Sequence, residues 1–154
     1  MLLQPTIKKF EKEILGYNKK PLSFEDLELI CETEGIILLD HMNLHCEGLL
    51  ISPLGSPPSI VLDKNLFPIG DKTFIGFHEY FHYRLHPGPI YYYSKSILGY
   101  EKIEKEADTL AMLAIIPTQC LIKDLSLGED IGEKYNLSSK LVKKRLELLN
   151  KLKI

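Results

Sequence analysis

Residues 6–15 (TIKKFEKEIL) set Ile7, Phe10 and Ile14 three and four apart, and this spacing predicts a short amphipathic helix. GYNKKP (16–21) breaks it. Ser23 then suits an N-cap, and Phe24, Leu27, Ile30 and Cys31 repeat at helical spacing as far as Gly35. A second helix is expected there, ending at the glycine. The period changes after it. IILLD (36–40), GLLIS (48–52) and SIVLD (59–63) are short apolar runs of strand type. PLGSPP (53–58) joins the last two, which predicts a hairpin with a wide turn. Helical patterning returns over about 72–86 and stops at His86-Pro87-Gly88, because proline biases the preceding residue away from helix. Residues 89–99 read as loop. EKIEKEADTLAMLAII (101–116) predicts a strong helix closed by Pro117, and two short helices are expected at about 118–135 and 138–152. Helices, a small sheet and helices again make an α+β pattern, not an alternating β-α-β one.

Composition narrows the class. A chain of 154 residues, 45% hydrophobic and 26% charged, suits one domain with a filled core. A formal charge of −2 argues against a general polyanion binder. No run approaches the length of a membrane span. The opening MLLQPTIKKFEKEIL mixes apolar and charged residues too closely for a signal peptide. Cys31, Cys46 and Cys120 are odd in number and lack a CxxC spacing, which points to a reducing cytoplasm and to small buried hydrophobes.

The chemistry concentrates in HEYFH (78–82). On a helix, positions four apart lie one turn apart on the same side, so His78 and His82 can present two imidazoles to one point. A tetrahedral zinc ion needs that from its first two ligands. Glu79 is offset by about 100° around the axis. It flanks the metal, and its carboxylate can take a proton from water that the metal acidifies. This is the pattern of a metallopeptidase helix. Phe74, Phe77, Phe81 and Leu85 form a separate apolar stripe one residue step away, so the helix can bury its phenylalanines and still aim both histidines into a cleft.

A catalytic zinc takes three protein ligands and leaves one position open. Leu85 and Gly88 stand where an HExxHxxGxxH site would need glycine and histidine, so that subclass is excluded. His86 falls at the expected end of the helix and is a poor third ligand. The acidic helix is the better source, with Glu101, Glu104, Glu106 and Asp108. Its buried face is marked by Ile103, Ala107, Leu110, Ala111 and Ala114. Glu106 borders that face beside Ala107 and is the expected third ligand, with Glu104 and Asp108 as alternatives. One of these acids can orient a ligand histidine through its other ring nitrogen. Zinc is the expected ion, though manganese or iron would also suit these ligands.

Three further groupings carry weaker signals. Asp40, His41, His45 and Cys46 lie between two strands, where no helix aligns them, and read as ordinary loop residues. Tyr91, Tyr92 and Tyr93 could offer a hydroxyl to an oxyanion, but fit equally as cover for the core's rim. GEKYNLSSKLVKKRLELLNKLKI resembles a helix-turn-helix. Its second helix is capped by Ser138 or Ser139 and carries Lys140, Lys143, Lys144 and Arg145 on one face. Such a face can contact phosphates. More often it is only solvated, and direct DNA binding is not expected.

Taken together, these segments resemble the ImmA/IrrE family of metallopeptidases. FIGFHEYFHYRLH resembles the family's HExxH helix. EKEADTLAMLAIIP resembles its ExEAnxFA helix with the closing proline. HCEGLLIS and IVLDKNL resemble its hairpin, and EDIGEKYNLSSKLVKKRLELL its trailing segment. The resemblance spans about residues 22–150. It implies a zincin-like fold over 1–125, with a helix-turn-helix-like segment over 126–154 packed on it. It implies His78, His82 and Glu106 as zinc ligands and Glu79 as catalytic acid/base. It also implies cytoplasmic cleavage of a helix-turn-helix transcriptional repressor, releasing mobile-element or stress genes. The competing expectation is a non-catalytic module that binds a repressor or DNA. Phe81 stands where the family keeps a small residue, and so must find room of its own.

Overall fold

The computed structural model describes residues 3–42, 44–86 and 100–154. The helices are α1 (Gln4–Glu13), α2 (Phe24–Glu34), α3 (Ile69–Leu85), α4 (Tyr100–Ile115), α5 (Thr118–Ser126), α6 (Ile131–Lys134) and α7 (Ser139–Leu152). The strands are β1 (Ile37–His41), β2 (Gly48–Ile51) and β3 (Ser59–Asp63). Among the described residues, seven helices and a three-stranded sheet make an α+β arrangement, as the pattern predicted. No single helix among the described residues is long and apolar enough to cross a membrane.

Local chemistry accounts for the boundaries. Ser23 accepts from Asp26 N and the Asp26 carboxylate accepts from Ser23 N, a reciprocal cap that satisfies two orphan donors at the start of α2. Gly35 ends that helix in the left-handed region at φ 72°. β2 and β3 pair antiparallel as the hairpin expectation required, with Leu50 opposite Ile60. β1 joins the far side of β3 in parallel, with Leu38 opposite Ile60, giving the order β1-β3-β2.

Two boundaries differ from expectation. α3 begins at Ile69, ahead of about 72. Pro68 and Gly70 read as breakers, but the proline stands at the N-cap, where its missing N–H costs nothing. Gly70 is needed because a Cβ there would lie 2.4 Å from the carbonyl oxygens of Tyr135 and Asn136. The expected helix over 118–135 is two helices, separated where Gly128 turns at φ 71° and Asp130 caps α6 through Glu133 N. Residues 89–99, including Tyr91, Tyr92 and Tyr93, lie outside the described residues.

The core gathers around α3. Phe77, Tyr80 and Phe81 are fully buried. Phe81 finds its room against α1 and the turn after it, edge-on to Phe10 at 4.9 Å and to Tyr17 at 5.7 Å between ring centroids. Such pairs add about 0.5–1.5 kcal/mol beyond area burial. The bulky ring is thus accommodated on an adjoining face of α3, turned by about 60–100° from the two histidines. Ile131, Leu137, Leu141 and Ile154 belong to the same buried cluster, so α6 and α7 share this core. α2 crosses α3 at Gly76, where a Cβ would lie 2.3 Å from Leu27 Cδ2, a fully buried side chain. Alanine there gains up to about 1 kcal/mol in helix propensity, against an overpacking cost of about 1–3 kcal/mol. Gly76→Ala is therefore expected to destabilise the fold by about 1–2 kcal/mol in denaturant titration.

Candidate metal centre

α3 and α4 pack on one another more extensively than any other pair of described helices. Ala107, Ala111 and Ala114 are fully buried, and side chains this small let the two backbones approach. His78 and His82 project from one face of α3, one turn apart. Glu104 and Asp108 do the same from the facing side of α4. The result is a compact polar cluster in an otherwise apolar interface.

His78 Nε2 and His82 Nε2 stand 3.0 Å apart. Glu104 bridges them, with Oε2 3.2 Å from His78 Nε2 and Oε1 2.8 Å from His82 Nε2. Two buried imidazole nitrogens and a partly buried carboxylate oxygen thus converge on one point, and the three residues could hold a metal ion. Metal–ligand bonds of about 2.0–2.1 Å in a tetrahedron set ligand atoms about 3.3 Å apart. The observed separations are only slightly tighter, so the donor set fits a small divalent cation.

The surroundings extend the cluster in two directions. His78 Nδ1 lies 2.7 Å from Asp108 Oδ1, a close electrostatic contact set off the line of a good hydrogen bond. Asp108 Oδ2 in turn accepts from Lys144 Nζ on α7. On the other side, His82 Nδ1 and His86 Nδ1 share a hydrogen bond of 3.0 Å, and His86 Nε2 lies 3.3 Å from Glu106 Oε2. Each ring nitrogen that faces away from the convergence point therefore has a neighbour able to fix its orientation.

Glu106, the expected third ligand, is not in the cluster: it contacts His86. Glu104 takes the place at the histidines. On a helix Glu106 is displaced by roughly 200° from Glu104. Its sequence neighbour Ala107 is buried, but adjacency in sequence means a step of about 100°, not a shared face. Glu104, Ala107, Asp108 and Ala111 stand at i, i+3, i+4 and i+7, and that spacing was the available signal.

The electrostatics follow from burying charges together. Burial alone would lower the His78 pKa, but the Asp108 and Glu104 carboxylates outweigh it and raise it to about 10. Burial would raise Glu104, and His78 and His82 instead hold it well below the usual carboxylate range. Glu79 moves up, chiefly through burial and further through Glu104, against the pull of His78 and His82. A metal ligand must be a neutral imidazole, so a metal-free His78 that is protonated below about pH 10 has to lose that proton. Metal uptake at pH 7–8 is expected to release about one proton per chain, with affinity strengthening about tenfold per pH unit. Titration calorimetry in buffers of different ionisation enthalpy measures the release, and a pH-independent affinity would contradict the raised His78.

Glu79 is half-buried beside the start of β2, where a Cβ on Gly48 would lie 3.3 Å from its Cγ. The remaining candidates are placed elsewhere. Asp40 pairs with Lys72 at 2.8 Å, and Cys46 Sγ donates to Gly48 O at 3.3 Å. His41, His45 and Cys46 are exposed, and these side chains form no ligand group among the described residues. The anticipated basic face of α7 is smaller than its sequence suggested: Arg145 is fully buried, and Lys144 is paired with Asp108. No protein-family model, curated protein or solved structure matches the chain.

Proposed function

We propose that this chain is a zinc-dependent endopeptidase of zincin-like architecture that works in the cytoplasm, with His78, His82 and Glu104 as ligands and Glu79 as general acid/base. The observation that carries the reading is the convergence of two imidazoles and a carboxylate from facing helices, with a second carboxylate, Glu79, flanking them. A zinc ion held there would acidify water and polarise a carbonyl. Glu79 accepts the proton and returns it to the leaving amine. β2 is an edge strand of the sheet, pairing with β3 on one side, and its first residue adjoins Glu79. An extended peptide added to the outer side of β2 would pass the site with its backbone hydrogen-bonded.

The substrate proposed from the ImmA/IrrE resemblance is a helix-turn-helix transcriptional repressor. The test is incubation of the zinc-loaded chain with a small repressor encoded next to its own gene. One discrete cut is expected, abolished by chelation and restored by zinc. A chain that retains no zinc under zinc-replete conditions, or cleavage that survives chelation, would refute the proposal.

A further inference from the structure

We infer that Lys144, on the C-terminal helix, is a positioning residue for the metal centre: it holds Asp108 against His78 and makes α7 part of what retains the ion. The inference rests on reading His78, His82 and Glu104 as ligands, and adds an element that lies far from them in sequence.

Four observations converge on Lys144. The two oxygens of Asp108 are divided between partners, Oδ1 at His78 Nδ1 and Oδ2 at Lys144 Nζ. A cleft of about 300 Å³ between α4 and α7 adjoins both side chains, so an unanchored Asp108 has space to turn away. Lys144 Nζ also stands 5.7 Å over the Phe74 ring, and Phe74 lies one turn before His78 with ring centroids 6.2 Å apart. The ammonium is thereby steadied from α3 as well as α4. Finally, the neighbouring Arg145 fixes the register of α7. Fully buried, it donates to Ile116 O at 3.0 Å, Ile154 O at 2.7 Å and Thr118 Oγ1 at 3.1 Å. With Arg145 pinned in this way, the preceding residue is presented to Asp108.

Two effects of Lys144 on a bound dication oppose each other. Its charge repels the ion, and its grip on Asp108 keeps His78 aimed. Lys144 is 44% exposed, so solvent and salt screen the repulsion, whereas the grip is a direct contact. Positioning therefore dominates. Partners behind ligand histidines change metal affinity by about 10–100-fold, and Lys144 acts one residue further out, at the lower end.

The experiment compares zinc loss to an excess of a chromogenic chelator from wild type, Lys144→Met, Lys144→Gln and Lys144→Arg, each alone and with Asp108→Asn. Lys144→Met is expected to release zinc about tenfold faster. Gln and Arg, which retain a donor, stay near wild type. In the Asp108→Asn background Lys144→Met should add nothing, and metal-free unfolding midpoints should not move. Release from Lys144→Met as slow as wild type, or a full effect in the Asp108→Asn background, would overturn the inference while leaving the metal site intact. Failure of the wild type to bind zinc would instead sink the ligand reading itself.

Discussion

Replacing Glu79 by glutamine is expected to lower peptide cleavage by about 10²–10⁴-fold while leaving the metal bound. The expectation comes from where the side chain sits. Glu79 follows His78 on α3 and is turned about 100° from it. It therefore flanks the point at which His78, His82 and Glu104 converge, without joining it. It is half-buried, and burial, helped by Glu104, makes it a stronger base than a free carboxylate. Glutamine keeps the size and the packing beside Gly48 and removes only the ability to accept a proton. Metal content and stability should therefore be unchanged and turnover lost. The two readouts must be taken together. Loss of metal with loss of cleavage would show that Glu79 holds the ion; retained metal with wild-type turnover would place the base elsewhere. The same variant separates a peptidase from a module that only binds a repressor. A peptidase inactivated in this way should still bind its substrate, and the complex should persist uncut.

The elements were legible in the sequence wherever one local signal decided them. Ser23 and Gly35 bound α2 because a cap and a left-handed turn are properties of single residues and their neighbours. The alternation of strand-type runs around PLGSPP was enough for the β2–β3 hairpin. What the sequence concealed was set by partners distant along the chain. Gly70 reads as a breaker until the backbone of Tyr135 and Asn136 is seen against it. Phe81 reads as too large until Phe10 and Tyr17 are seen to receive it. Arg145 reads as one of four exposed cations, yet its three acceptors come from residues 116, 118 and 154, a destination that helical periodicity alone does not specify. The HEYFH pair was legible because its geometry is internal to one helix. The carboxylate that meets the pair, Glu104, was harder to place, since it depends on how α4 is rotated against α3.

That rotation carries the other large expected effect. Glu104→Gln should weaken zinc binding by more than about 100-fold, whereas Glu106→Gln should weaken it by about tenfold or less. Glu104 touches both histidine nitrogens at the convergence point, at 3.2 Å and 2.8 Å. Glutamine there removes the anionic ligand and can turn an amide NH₂ toward a dication. The metal-free cluster registers the same charge, since His78 and His82 hold Glu104 ionised far below the usual carboxylate range. Glu106 reaches the site only through His86, whose Nδ1 meets His82 Nδ1 at 3.0 Å. Its loss frees a ring that orients a ligand and leaves all three donors in place. Competition against a zinc-binding dye of known affinity measures both variants on one scale. The reverse ranking would mean that α4 turns by about half a revolution when metal binds, moving the buried Ala107 and Ala111 off their contact with α3. Small side chains packed at that interface oppose such a turn, because rotation would bring Lys105 or Glu106 into a space that admits alanine.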